Sequence, residues 1–287
     1  MAVREQDNLT IDVGKSGLIR GRNWPYHVML LLAIMVIVFP LAYAALVSTQ
    51  TNPEVFRFQL TPGSAFGKHL DQVWNDRNLG RFMWNSTVQA VLITVAKTVL
   101  SLLAGLAFVY FSFRGKWLVF FFVLITLMMP TEVMILALFR LVSDLGWKDS
   151  MAGLVVPFAA SATGAFLFRQ HFANLPRDLS EAAQIDGASP IQFLFKILIP
   201  LSWNVIGALA VIQFVFVWNM YLWPVLIVSD KDKQVVQQGL QGFQTIDVGL
   251  TFGPLMLAAL IASIPPAIVF IALQKPFMAG FALSADK

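Results

Sequence analysis

The sequence contains no cysteine, which removes disulfide staples, thiolate nucleophiles and cysteine-ligated metals. Its three histidines, His27, His69 and His171, lie far apart and lack the short spacing of a metal site. Charge is scarce too: 13% of the 287 residues are Asp, Glu, Lys or Arg, about half the ~25% of a soluble domain. A water-facing globule of this length would need the missing charge on its surface, so the main solvent is lipid. Lys and Arg outnumber Asp and Glu by four, but they form no basic cluster, and nucleic acid is excluded as a partner. A phosphate-cradling loop is also missing. The only Gly-Lys-Ser, Gly14-Lys15-Ser16, has Leu9 where the earlier glycine would stand. Any ATP must therefore be handled by another chain.

Apolar residues make up 57% of the chain, with 25 Phe and eight Trp against four Tyr. Phe suits hydrocarbon and Trp suits the membrane interface. Runs long enough to span, at about 20 residues each, fall near 28–47, 87–111, 117–139, 151–168, 197–217 and 251–273. The expected fold is all-α and integral to the membrane, with six transmembrane helices in one domain over 26–274. Polar tails at 1–25 and 275–287 flank it. Pro40 is expected to kink the first span, and the fifth continues through 218–228. Residues 48–84 combine Pro, Gly and aromatics, as an ordered extramembrane loop does. Residues 159–165, rich in Ala, Ser, Thr and Gly, suit close helix packing.

An even number of spans puts both termini on one side. That side carries eleven Lys and Arg residues against eight on the other, and the turn with Arg114 and Lys116 holds no acid. By the positive-inside rule both termini and the 169–196 loop are expected to be cytoplasmic in a multi-pass membrane protein.

The longest polar interruption, 174–200, is the most informative segment. Pro176 suits a helix start, and Asp178 and Glu181 favour the positive end of a helix dipole. Ala182 and Ala183 propagate a helix without bulk, and Gly187 suits a left-handed end. Ser189-Pro190-Ile191-Gln192 is a capping box with Pro at the first position. Pro200 is expected to bend the chain as it enters the bilayer. Two short helices joined at Gly187 thus lie at the membrane surface. They serve either as a plain connector or as a docking knob.

Glu181-Ala182-Ala183, then Asp186-Gly187-Ala188 and later Ile199-Pro200, resemble the EAA loop of binding-protein-dependent ABC importer permeases. The stretch Trp218-Asn219-Met220-Tyr221-Leu222-Trp223-Pro224 is similar to one in the carbohydrate-uptake branch of that family. Met128-Met129-Pro130-Thr131-Glu132 and Phe166-Leu167-Phe168-Arg169-Gln170 look most like glycerol-3-phosphate importers. The resemblance implies a type I importer permease fold and a non-catalytic translocation subunit. Its partners would be a second permease, two ATPase subunits holding ATP and Mg, and an extracytoplasmic binding protein. The coupling residues would be Glu181, Ala182, Ala183, Asp186, Gly187, Ala188, Pro190 and Pro200. The cargo would be a sugar, a polyol or a glycerol-phosphate-type solute.

Two further groups stand out. Lys97 and Glu132 are ionisable residues inside spans, where lipid exposure costs ~2.5 kcal/mol or more. Glu132, beside Pro130, is a pathway candidate, and Lys97 is either structural or functional. An ion-coupled secondary transporter using this pair is the alternative reading. Trp218, Asn219, Tyr221 and Trp223 offer stacking faces and hydrogen bonds to a sugar or polyol, or else form an interfacial aromatic belt.

Overall fold

The computed structural model describes residues 24–244 and 251–282. The expected N-terminal tail lies almost wholly outside that range. Fifteen α-helices occur among the described residues, without a strand. Three are long: α1 (Trp24–Val47), α4 (Leu79–Tyr110) and α15 (Phe252–Ala282). Between α1 and α4 lie α2 (Asn52–Phe56) and α3 (Phe66–Asp71). They are followed by α5 (Lys116–Leu127), α6 (Thr131–Asp144), α7 (Met151–Val155) and α8 (Ala162–Ala173). The 174–201 segment, expected to couple to a partner, holds α9 (Asp178–Ile185), α10 (Pro190–Phe193) and α11 (Ile199–Leu201). The remainder are α12 (Trp203–Trp218), α13 (Leu222–Ile227) and α14 (Val236–Gln241).

Three helices are long and apolar enough to cross a membrane, and two bent pairs raise the number to five. The segment expected as the third crossing is divided. Pro130 is extended at φ −66°, ψ 133° and separates α5 from α6, because proline gives no backbone donor and keeps its predecessor out of the helix region. The expected fourth crossing bends by 43° between 151–158 and 162–173. The fifth also differs from expectation: 190–201 meets α12 at 79°. Pro200 and the non-helical Ser202 interrupt the backbone there, so 197–201 belong to the coupling segment. The sixth continues to Ala282, past 274, through Pro265, Pro266 and Pro276. Helix α1 likewise runs on through Pro40.

The bundle is built on α12 packed against α15 and α4 packed against α8, with α12 also against α4. Small residues permit the approach. A Cβ on Gly164 would stand 2.1 Å from the Ser101 hydroxyl, and one on Gly105 would stand 2.7 Å from Phe168 Cβ. The apolar interior falls into two clusters. One, at the loop-rich end, includes Leu79, Ile93, Val217, Trp218, Trp223 and Val236. The other, under the coupling segment, includes Leu106, Phe168, Phe172, Phe193, Leu198 and Leu209. Residues 24–42 of α1 are exposed, and its uniformly apolar surface suits lipid.

Candidate functional site

Helix α9 is short, and its ends are closed locally. At its start, Ser180 and Glu181 donate their amides to the Arg177 carbonyl at 2.9 and 3.1 Å. At its end, Gly187 takes φ +69°. The Gly187 amide donates to Gln184 O at 3.1 Å, and the Ala188 amide donates to Ala183 O at 2.9 Å. This pair of bonds is a Schellman motif, and it needs a residue that tolerates the left-handed region. The chain restarts at once: Ser189 Oγ accepts from the Gln192 amide, and Gln192 Oε1 accepts from the Ser189 amide at 2.9 Å. Both caps are legible in the sequence.

One face of this pair is anchored. Ala183 is the only buried residue of α9, and Phe193 beyond the turn is buried beside it. The Tyr110 ring at the end of α4 meets Phe193 edge-on at 5.0 Å. A cavity of about 250 Å³ separates α9 from the end of α4, lined by Leu106, Tyr110, Gln184, Pro190 and Phe193. The other face is open. Glu181, Ala182, Asp186, Gly187 and Pro190 are exposed, Ala188 is half-buried, and Ile185 is 86% exposed. Glu181 and Asp186 flank this exposed apolar side chain in sequence. Pro200 is exposed too, some distance along the chain, where it shapes the entry bend.

The aromatic stretch divides. Trp218 offers no stacking face, because it is inside the apolar core; Trp223 is packed there too but also borders a cavity. The Trp218 indole N–H donates to Ala262 O and the Trp223 indole N–H to Gly153 O, each at 3.1 Å. Trp218 stacks on Phe214, and Trp223 meets Phe158 edge-on. Asn219 and Tyr221 are exposed instead. Asn219 caps α12 by donating to Val215 O at 2.8 Å, and the Tyr221 hydroxyl donates to Gln241 Oε1. Both line a cavity of about 330 Å³ with Ile135, Phe158, Phe216, Leu222 and Trp223. The backbone of Glu132 lies in the first turn of α6, and its side chain is outside the described residues.

Sequence reasoning missed Gln213, which is buried in α12. It accepts from Lys97 Nζ at 2.9 Å and donates to Ser161 Oγ at 3.3 Å. A lone amide in an otherwise apolar run was the available signal. Arg169 is packed over the rings of Trp117 and Phe120.

A bundle of long apolar helices with a surface-held, doubly capped helix pair defines an all-α membrane protein. A model of the family described as "Binding-protein-dependent transport system inner membrane component" matches residues 97–279. The chain belongs to that family. It is 40% identical over 270 residues to the sn-glycerol-3-phosphate transport system permease protein UgpE of Pectobacterium atrosepticum, covering 91% of this chain and 96% of the relative. It is 39% identical over 275 residues to UgpE of Escherichia coli K12, covering 92% and 98%. In fold it matches the crystal structure of a bacterial ABC transporter involved in the import of the acidic polysaccharide alginate. That match has TM-score 0.77 at 20% identity, covering 88% of this chain and 95% of the other. The chain is thus a non-catalytic translocation subunit of an ABC importer, and the ion-coupled alternative is not favoured.

Proposed function

We propose that this subunit carries a glycerol-phosphate-type solute across the inner membrane and that α9 is its coupling helix. The exposed tip at Glu181, Ile185 and Gly187, over a buried anchor at Ala183 and Phe193, carries this reading. Two ATPase subunits binding ATP and Mg close against one another on the cytoplasmic side, and one of them grips the α9 tip. The rigid caps transmit the movement to α12 through the bend at Ser202, and the bundle alternates its opening. A second permease completes the pathway, and an extracytoplasmic binding protein delivers the solute. Both termini face the cytoplasm with α9, as the Lys and Arg distribution supports. The cargo reading rests on the two relatives named for sn-glycerol-3-phosphate transport.

The test replaces Glu181 or Gly187 with Arg in the assembled transporter. No neighbouring atom lies within 4 Å of a Cβ at Gly187, so its substitution acts through backbone strain and the added charge rather than through a clash. Uptake of labelled sn-glycerol 3-phosphate should fall at least tenfold while membrane insertion is retained. Undiminished uptake in both variants overturns the coupling role.

A further inference from the structure

Helix α4 buries a row of polar side chains: Ser86, Gln89, Thr94, Lys97 and Ser101. The part from Thr94 to Ser101 falls between the two apolar clusters. Ala90 and Ile93 belong to the one at the loop-rich end, and Leu102 and Leu106 belong to the one under the coupling segment. Lys97 is the cation of this seam. It is 7% exposed, its ammonium donates to Gln213, and it lies 5.2 Å from the centre of the Phe216 ring. Neither salt bridge among the described residues involves it; both are at the loop-rich end, between Arg81 and Asp232 and between Lys233 and Asp230.

Phe216 also forms part of the wall of the 330 Å³ cavity that Asn219 and Tyr221 line. Lys97 is therefore one aromatic ring from that cavity, whose lining among the described residues carries no charge. Three neighbours on α4 add a second observation. Gln89 Nε2, Thr94 Oγ1 and Ser101 Oγ lack hydrogen-bond partners among the described residues, and each residue is more than nine-tenths buried. Natural interiors pair such groups, and a seam serving packing alone would be more stable if apolar. A buried ammonium held by a neutral amide, rather than cancelled by a carboxylate, keeps its charge for an incoming anion.

We propose that Lys97 is the residue of the translocation pathway that recognises the anionic group of the solute, a phosphate monoester. This rests on the cargo reading above. Without solute the ammonium donates to Gln213. When solute enters the cavity, Phe216 turns aside and the ammonium moves to a phosphate oxygen, and Ser161 holds the Gln213 amide in place. No bond is made or broken; the phosphate exchanges hydration for a charge-assisted hydrogen bond.

The experiment reconstitutes the complete transporter, with both permeases, the ATPases and the binding protein, in proteoliposomes. It measures sn-glycerol 3-phosphate delivered per ATP hydrolysed. Lys97→Met should lower that ratio at least tenfold, and Lys97→Arg should recover at least a third of the wild-type value. Gln213→Leu, which removes the same hydrogen bond but keeps the charge, should lower it less than threefold. If Lys97→Met fails to assemble, Lys97→Gln replaces it in the same comparison with Lys97→Arg. A neutral variant that delivers solute at the wild-type ratio overturns the proposal. So does a Gln213→Leu loss equal to that of the neutral variant, since the pair would then be structural. The cargo is checked separately: a binding protein that retains only neutral sugars overturns the phosphate-ester reading. Retention of the ester, with Lys97→Met unimpaired, overturns the lysine's role alone.

Discussion

Trp218 lies 3% exposed, with its indole N–H on the Ala262 carbonyl and its ring stacked on Phe214. The indole bond ties α12 to α15 at the loop-rich end, and the stack lies within α12. Trp218→Phe keeps a ring for Phe214 but removes the donor, leaving a buried carbonyl with one partner fewer. The expected cost is about 1–2 kcal/mol, read as a lower thermal midpoint of the purified subunit, with solute preference unchanged. A shift in preference between the phosphate ester and neutral polyols would instead place the ring in the pathway. The rest of the same stretch, Asn219 to Trp223, lines the cavity. Neighbours in sequence thus divide between packing and lining, and residue type alone does not separate them.

At the scale of elements, broken helices distinguish this bundle. Pro130, Ser161 and Ser202 stand at the interruptions of what would otherwise be continuous spans, and each break leaves backbone groups that a lipid environment cannot satisfy. At the start of α8 the break is capped locally, where Ser161 Oγ accepts from the Gly164 amide at 3.1 Å. The same Gly164 sets the approach of α4 and α8, since a Cβ there would meet Ser101 Oγ at 2.1 Å. Gly164→Val should therefore cost about 1–3 kcal/mol by overpacking, with part of the loss restored by Ser101→Gly. Thermal unfolding of the single and double variants in detergent checks this; equal losses in both would show that the contact with Ser101 is not the cause.

For the whole molecule, each end has its own apolar cluster, and the loop-rich end adds hydrogen bonds between distant segments. The coupling end rests on aromatic and aliphatic packing around Phe168, Phe172 and Phe193. Hydrogen bonds between distant loops tie the opposite end. There the Ser86 hydroxyl accepts from the Val236 amide at 2.8 Å. The Asp149 carboxylate accepts from the amides of Ser229 and Asp230 at 2.6 and 2.9 Å. Those amides, Asp230's first and then Ser229's, hold the Asp149 carboxyl below its ordinary value of 3.8. Its contribution is therefore fully present above the unfolded value and is lost as pH falls through the lower folded value. Amide exchange at 229 and 230 should accelerate only in strongly acidic buffer, below the ordinary carboxylate range. In Asp149→Asn, exchange there should be faster at neutral pH and lose that acid dependence. Retention of the acid dependence in Asp149→Asn would assign it to another group.

Much of this was legible in the chain itself. Scarce charge and long apolar runs determine a lipid-embedded helical protein, because solvent choice depends on composition and run length. The two caps of the coupling segment are equally local: Gly187 suits a left-handed residue, and Ser189 with Gln192 closes a box within four residues. Their partners are a few positions apart, so sequence specifies them. Tertiary structure decided what depends on distant neighbours. That the Trp223 indole N–H donates to Gly153, 70 residues earlier, is a matter of packing that no local pattern records. Lys97 is read the same way: its place among Gln213, Ser161 and Phe216 comes from three helices meeting at one depth. In lipid the apolar faces of such helices are nearly equivalent, so shape and the few polar contacts, rather than hydrophobicity, choose which faces meet.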